Sequence, residues 1–251
     1  MSRTPKPMFT DQTVSALNEA LQGKSPKEIL QRVSSELGTA VVAFSGAEDV
    51  LLVHLSAKLP SPPDFLTLDT GRLHAETLQF ISDVQKHYQI ALDILQPDPI
   101  EVDNLIKNKG LYSFYKDGHQ ECCGIRKVAP LRSKLRHYDV WITGQRKDQS
   151  PTRNEVAIVE IDRSFSTEER QILKVNPLAN LSSREVWETI RLLEIPYNPL
   201  HDRGFISIGC EPCTKSIGPH QHEREGRWWW EEATIKECGL HKGNIEVLAK
   251  G

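Results

Sequence analysis

Five cysteines mark this chain of 251 residues: Cys122, Cys123, Cys210, Cys213 and Cys238. The first four form two close pairs, Cys122-Cys123 and Cys210-Glu211-Pro212-Cys213. Four soft thiolates suit zinc or an iron–sulfur cluster, and ligand type alone chooses neither. Adjacency is the informative detail. Zinc usually draws on two spaced Cys-x-x-Cys knuckles, whereas consecutive cysteines diverge from neighbouring backbone positions and suit a cofactor with separate corners, as a cubane cluster has. The plain alternative is that Cys122 and Cys123 are small apolar core filling. Arg126, Lys127 and Arg132 follow the pair at helical spacing and would offset the charge of a thiolate-bound group, although alone they read as a solvated helix face.

Cys238 stands apart, in Lys236-Glu237-Cys238-Gly239-Leu240-His241. Nearby cations favour the thiolate, which is the nucleophilic form. The other reading is a spare tail thiol. Upstream, Arg224 and Arg227 flank a segment running into Trp228-Trp229-Trp230, and their forked donors could clamp sulfate or phosphate oxygens. The tryptophans themselves read as packing, and His220 and His222 as a solvated loop pair.

Two glycine turns add an anion-binding possibility. The first is Phe44-Ser45-Gly46-Ala47-Glu48-Asp49, where a turn feeding a helix N-terminus offers N–H groups to a phosphate or sulfate. It lacks the lysine of a Walker loop, and a small-residue turn kept for packing is an equal alternative. The second, Leu68-Asp69-Thr70-Gly71-Arg72, strengthens the case for a nucleotide. A loop from Gln145 to Arg153 carries Arg146, Lys147 and Arg153 and could reach an anion at the same edge.

These residues need a scaffold, and the hydrophobic pattern supplies one. Residues 11–37 predict two short amphipathic helices broken around Gly23–Pro26. Thr39–Phe44 reads as a buried strand followed by a helix from Glu48 to about Lys58, and the unit repeats as a strand at Asp64–Leu68 and a helix with Thr77, Ile81, Val84 and Tyr88 on one face. Strands are expected at Ile90–Leu95, His137–Thr143 and Glu155–Ile161, and a helix at Ser182–Glu194 with Val186, Ile190 and Leu193 buried. Such alternation predicts an α/β fold with a doubly wound, mostly parallel sheet, whose ligands bind beyond the carboxyl ends of the strands. Both glycine turns lie at that edge. The expected organisation is a helical cap over residues 1–38, a nucleotide-binding and cysteine-bearing core over 39–215, and an irregular, mobile tail over 216–251.

A formal charge of −3 and a pI of about 6.3 argue against tracking a nucleic acid. The longest apolar runs are too short to span a bilayer, and no signal-peptide core opens the chain, so a cytoplasmic protein is expected. An odd cysteine count there points to metal or thiol chemistry rather than a disulfide framework.

The motifs taken together resemble the assimilatory adenylyl-sulfate reductases, a branch of the phosphosulfate reductase family with an adenine-nucleotide α-hydrolase-like fold. The stretches that carry the resemblance are Phe-Ser-Gly-Ala-Glu-Asp at 44–49, Leu-Asp-Thr-Gly-Arg at 68–72, Glu-Cys-Cys-Gly-Ile-Arg-Lys at 121–127 and Trp-Ile-Thr-Gly-Gln-Arg at 141–146. They continue with Ser-Ile-Gly-Cys-Glu-Pro-Cys-Thr at 207–214, Gly-Arg-Trp-Trp-Trp-Glu at 226–231 and Glu-Cys-Gly-Leu-His at 237–241. The resemblance implies one four-iron, four-sulfur cluster on Cys122, Cys123, Cys210 and Cys213, and Cys238 as the nucleophile toward adenosine 5′-phosphosulfate. Thioredoxin would then release sulfite from the sulfonated cysteine. It further implies catalytic roles for Lys127, His241, Arg224 and Arg227, and substrate contacts from Ser45, Gly46, Ala47, Glu48, Asp49, Leu68, Thr70, Gly71, Arg126, Arg146 and Arg153. The first turn departs from the Ser-Gly-Gly-x-Asp-Ser of related pyrophosphatases, which speaks against ATP chemistry. The alternatives are reduction of the 3′-phosphorylated nucleotide, disfavoured by acidic Glu48 and Asp49 at the turn, and a non-catalytic, zinc-stapled nucleotide-binding module. An oligomer of identical chains is left open.

Overall fold

The computed structural model describes residues 9–231. The expected nucleophile Cys238 and its neighbour His241 therefore lie outside the described residues, as does most of the tail.

Two helices open the fold, α1 (Asp11–Leu21) and α2 (Pro26–Glu36). Ser25 starts α2 with a capping box to Glu28, and Pro26 occupies a first-turn position where its missing N–H costs nothing. Strand β1 (Ala40–Ala43) leads through the first glycine turn to α3 (Val50–Ser56). Strand β2 (Asp64–Leu68) then leads to α4 (Ala75–Tyr88) and β3 (Leu92–Leu95). Helices α5 (Pro99–Lys109), α6 (Phe114–Asp117) and α7 (Gln120–Cys123) follow, and α7 passes through a π-helical turn, Gly124–Val128, into α8 (Ala129–Leu135). Strands β4 (Val140–Ile142), β5 (Val159–Ile161) and β6 (Leu173–Val175) complete the sheet before α9 (Ser183–Leu192).

The six strands lie in the order β3-β2-β1-β4-β6-β5, all parallel to their neighbours except β5, which runs antiparallel to β6. From β1 the chain winds outward to β2 and β3, then returns to the other side of β1 as β4. The reversal puts a topological switch point between β1 and β4, where an open α/β sheet forms a crevice beyond its strand ends.

Strand β1 shows why the sheet is covered on both faces. Successive side chains of a strand point to opposite sides. Val42 joins the large core with Leu30, Val33, Leu52, Phe80 and Val84, while Val41 joins a second core with Leu66, Leu131, Leu135 and Trp141. Both valines are fully buried, so β1 has no polar face and reads as a continuous apolar run. At the far edge, Asn18 of α1 donates to the Val159 carbonyl and accepts the Val159 N–H, so the helical cap closes the open side of β5.

Several expectations need correcting. Helix α3 begins two residues later than Glu48 because Asp49 is spent on the preceding turn. Strand β3 starts two residues later than expected, at Leu92, and is an edge strand with Asp93 and Ile94 exposed. Leu193 lies just past α9 and is 45% exposed, while Val186 and Ile190 are buried as expected. Beyond residue 216 the chain is exposed at 218–222 and returns to the body at Arg227 and Trp228, which are buried.

Candidate active site at the switch point

A cavity of about 180 Å³ opens at the carboxyl ends of β1, β2 and β4. Its floor comes from the first turn. The buried Asp49 carboxylate accepts the Ser45 N–H at 2.8 Å and the Ala47 N–H at 3.3 Å. Burial pushes the Asp49 carboxyl up to about 6, against the pull of those N–H groups. Two of the N–H groups expected to meet a phosphate thus stabilise a buried carboxylate instead. Gly46 has φ +82°, and a Cβ there would sit 2.8 Å from the Thr77 methyl, so the turn requires glycine. Asn198 holds the turn from behind, donating to the Gly46 carbonyl at 3.1 Å and to Thr77 Oγ1 at 3.0 Å.

Cys122, Cys123, Cys210 and Cys213 line a second, adjacent cavity together with Arg72, Arg126, Lys127, Phe114 and His119. Short elements build it. The cysteine pair ends α7, where the Cys123 N–H donates to the His119 carbonyl, and the other two flank the 3-10 turn Glu211–Cys213. The π-helical turn after the pair precedes Pro130, whose ring and missing N–H forbid the regular bond to Arg126, so the wider winding relieves that conflict. Cys210 Sγ lies 3.1 Å from Thr70 Oγ1, and Arg126 donates to the Thr70 carbonyl at 2.7 Å, which joins the second glycine turn to the cysteines. Burial raises the Cys210 thiol, but Lys127, the Thr70 hydroxyl, Arg227 and Arg72 outweigh it and hold the thiol below its ordinary value. Burial, then the charge on Cys210, pushes Cys213 up to about 12.

The two cavities share a wall. Lys127 lines both, and Arg153, Arg224 and Arg227 line the first. Arg227 is buried, donates to the Ile208 carbonyl at 3.1 Å and stacks over the Trp228 ring. Its segment lies tight against the body, because a Cβ on Gly226 would come within 2.2 Å of the Lys215 carbonyl oxygen.

Residues 39–216 match the phosphoadenosine phosphosulfate reductase domain, a span that contains the sheet, the cysteine cavity and all four paired cysteines. The chain belongs to the phosphoadenosine phosphosulfate reductase family. Adenosine 5′-phosphosulfate reductase of Pseudomonas aeruginosa (strain LESB58) is 56% identical over 243 residues, covering 96% of this chain and 91% of that protein. The chloroplastic 5′-adenylylsulfate reductase 3 of Arabidopsis thaliana is 50% identical over 240 residues, which are 94% of this chain but only 52% of the longer plant protein. The crystal structure of phosphoadenylyl-sulfate reductase from Candida auris, a phosphate complex, is similar in fold, with a TM-score of 0.70 at 23% identity over 84% of this chain and 99% of that one.

Within this reductase-family framework most of the expected site residues gather. Ser45, Ala47, Glu48, Asp49, Leu68, Thr70, Lys127, Arg153, Arg224 and Arg227 border the switch-point cavity. Gly46 and Gly71 shape turns without bordering it, and Arg126 lies on the cysteine side. Arg146 does not border the cavity. Its guanidinium is fully buried and bonded to Glu48 and Glu223. Thr143, Gly144, Gln145, Trp141 and Ile208 also form the wall, and although they lie in the quoted motifs they were not among the expected substrate contacts. The Thr-Gly-Gln after a buried strand was a usable signal for the first three, whereas Ile208 and the supporting Asn198 come from a stretch without periodicity. His220 and His222 are exposed.

The donor set fits a thiolate-bound metal group, because four thiols border one cavity. Three flanking cations, Arg72, Arg126 and Lys127, match the negative charge of such a thiolate-bound group.

Proposed function

We propose that this chain is an oxidoreductase that reduces adenosine 5′-phosphosulfate to sulfite and AMP, with Cys238 as nucleophile. The observation that carries the reading is Lys127, which lies in the wall common to the switch-point cavity and the cysteine cavity. The names of relatives 50–56% identical supply the substrate. Glu48 is paired with Arg146 and the Asp49 carboxylate accepts two N–H groups, so both are engaged in internal contacts. The preference for the nucleotide without a 3′-phosphate therefore rests on those relatives rather than on an acidic turn.

In the first half-reaction the nucleotide's phosphosulfate faces Lys127, Arg153, Arg224 and Arg227, whose charges offset that developing on the leaving phosphate. The Cys238 thiolate attacks the sulfonate sulfur, the bond from sulfur to the phosphate oxygen breaks, and AMP leaves with the bonding pair. Cys238 is then an S-sulfocysteine. A thioredoxin thiolate next attacks the Cys238 sulfur, sulfite departs, and the second thioredoxin thiol resolves the mixed disulfide, so two thiols are oxidised as sulfur is reduced. Cys122, Cys123, Cys210 and Cys213 would hold a four-iron, four-sulfur cluster, which supplies a fixed charge distribution beside Lys127. His241 is assigned to the same step through its place three residues from Cys238. Action in the cytoplasm, with a thioredoxin as reductant, completes the reading. No helix among the described residues is long and apolar enough to cross a membrane.

Mass spectrometry of anaerobically purified protein mixed with adenosine 5′-phosphosulfate tests this directly. A sulfonate adduct on Cys238 that thioredoxin discharges is the expected result. Absence of the adduct, or full sulfite release by Cys238→Ser, sinks the proposal. Turnover on the 3′-phosphorylated nucleotide, measured beside it, decides the substrate.

A further inference from the structure

The most deeply buried cation among the described residues is the one that the sequence assigned to substrate. Arg146 has no exposed surface. Its Nη1 donates to Glu48 Oε1 at 2.8 Å, and its Nη2 donates to Glu223 at 2.8 Å on Oε1 and 3.2 Å on Oε2. Both carboxylates line the cavity from different parts of the chain, Glu48 from the turn after β1 and Glu223 from the segment that continues into Arg224 and Arg227. Ser183, at the start of α9, donates a further hydrogen bond to Glu223 at 3.1 Å.

We propose that Arg146 is a positioning residue: its guanidinium bridges Glu48 to Glu223 and so sets Arg224 into the cavity, without meeting the substrate. The inference rests on the functional reading above. Two facts favour it over direct contact. To reach a bound anion the guanidinium would have to abandon two largely buried carboxylates, and a buried charge left unpaired is strongly unfavourable. Two carboxylates against one guanidinium also leave no positive charge over for a ligand, and Arg146 does not border the cavity, whereas Lys127, Arg153 and Arg224 do. A planar fork that bonds two carboxylates at once fixes distance and angle together, which lysine cannot do. The bridge transmits position because Glu223 and Arg224 are consecutive, and the Arg227 N–H donates to the Arg224 carbonyl at 3.0 Å.

The test uses the full-length, cluster-loaded protein, with single-turnover adduct formation on Cys238 at saturating nucleotide as one readout and AMP affinity by calorimetry as the other. Glu223→Ala should slow adduct formation about tenfold or more while AMP affinity moves by less than about threefold, since positioning errors cost reactivity before binding. Glu223→Gln, which still accepts the guanidinium N–H, should recover most of the rate. The double variant Arg146→Met/Glu223→Ala should be no slower than the slower single variant, because both remove one bridge. A wild-type rate in Glu223→Ala, equal losses in Glu223→Ala and Glu223→Gln, or multiplying losses in the double variant would each overturn the inference. Should Arg146→Met not fold, the two Glu223 variants decide alone. Wild-type protein that forms no adduct overturns the functional reading itself, a result distinct from all of these.

Discussion

The two cavities share Lys127 but are built by opposite means. The nucleotide side hangs on strands β1, β2 and β4, whose residues Val42, Phe65, Val140 and Ile142 belong to the large apolar core. The cysteine side is assembled from two four-residue helices, a π turn and a 3-10 turn, and three of the five residues in its small buried cluster are cysteines themselves, beside Phe114 and Trp228. Burial of apolar area scales with the number of such side chains. One side can therefore stand on its packing, while the other draws cohesion from what its thiolates bind.

Removing that cohesion is the severest way to test the contrast. Cys213→Ser should lose the visible absorbance of the bound cluster and drop sulfite formation to background. Hydrogen exchange should show residues 114–128 losing protection while β1 and β4 keep theirs. Equal loss in β1 would erase the distinction. Next comes a blow to the other side: Phe44→Ala empties a site that is 1% exposed and packed edge-on against Phe80, and should cost about 3–5 kcal/mol in denaturant unfolding, with the absorbance per folded protein unchanged. At the shared wall, Lys127→Ala should slow adduct formation by about a hundredfold, equivalent to about 2.7 kcal/mol of transition-state stabilisation, with little change in stability. An unaltered rate would show that the two cavities do not communicate through that side chain.

The smallest effect belongs to the turn beneath the nucleotide. Burial raises Asp49 to about 6, so the folded protein keeps that proton to higher pH than the unfolded chain does. The resulting stabilisation is present in full below the unfolded value and is lost as pH rises through the folded one. Between about pH 5 and pH 7.5 the wild type should lose about 1.4 kcal/mol relative to Asp49→Asn. Parallel unfolding free energies for the two proteins at both pH values would contradict the assignment.

The same contrast separates what could be read in the sequence from what could not. Strands β1 and β2 and helices α1, α2 and α4 were legible because their periodicity and caps are local properties. Strand β6 was not. Its central Lys174 interrupts an apolar run, and only the fold reveals that Glu160 of the adjacent strand neutralises a lysine that is 1% exposed. Helix α5 was missed outright, although Asp98 and Pro99 mark its start. The paired cysteines were found because residue type and spacing announce them, and the structure brings them together across 90 residues of chain. Arg146 shows the limit. A cation beside an anion site reads as a ligand until the carboxylates that hold it are seen, and Glu223 lies 77 positions away. Asn198 was invisible for a similar reason, since its role exists only once the Gly46 carbonyl and Thr77 are beside it.

The π turn at Gly124–Val128 acts as a gear between the thiolates and the lysine. Each residue of an α-helix advances the winding by about 100°, and a π turn takes in an extra residue without completing an extra revolution. Removing one residue there would restore regular winding and swing Lys127 about a quarter of the way round the axis relative to Cys122 and Cys123. In this stretch residue count carries as much information as residue identity, so a transplant of the cysteine pair onto an ordinary helix would carry the thiolates over and leave the ammonium facing the wrong way.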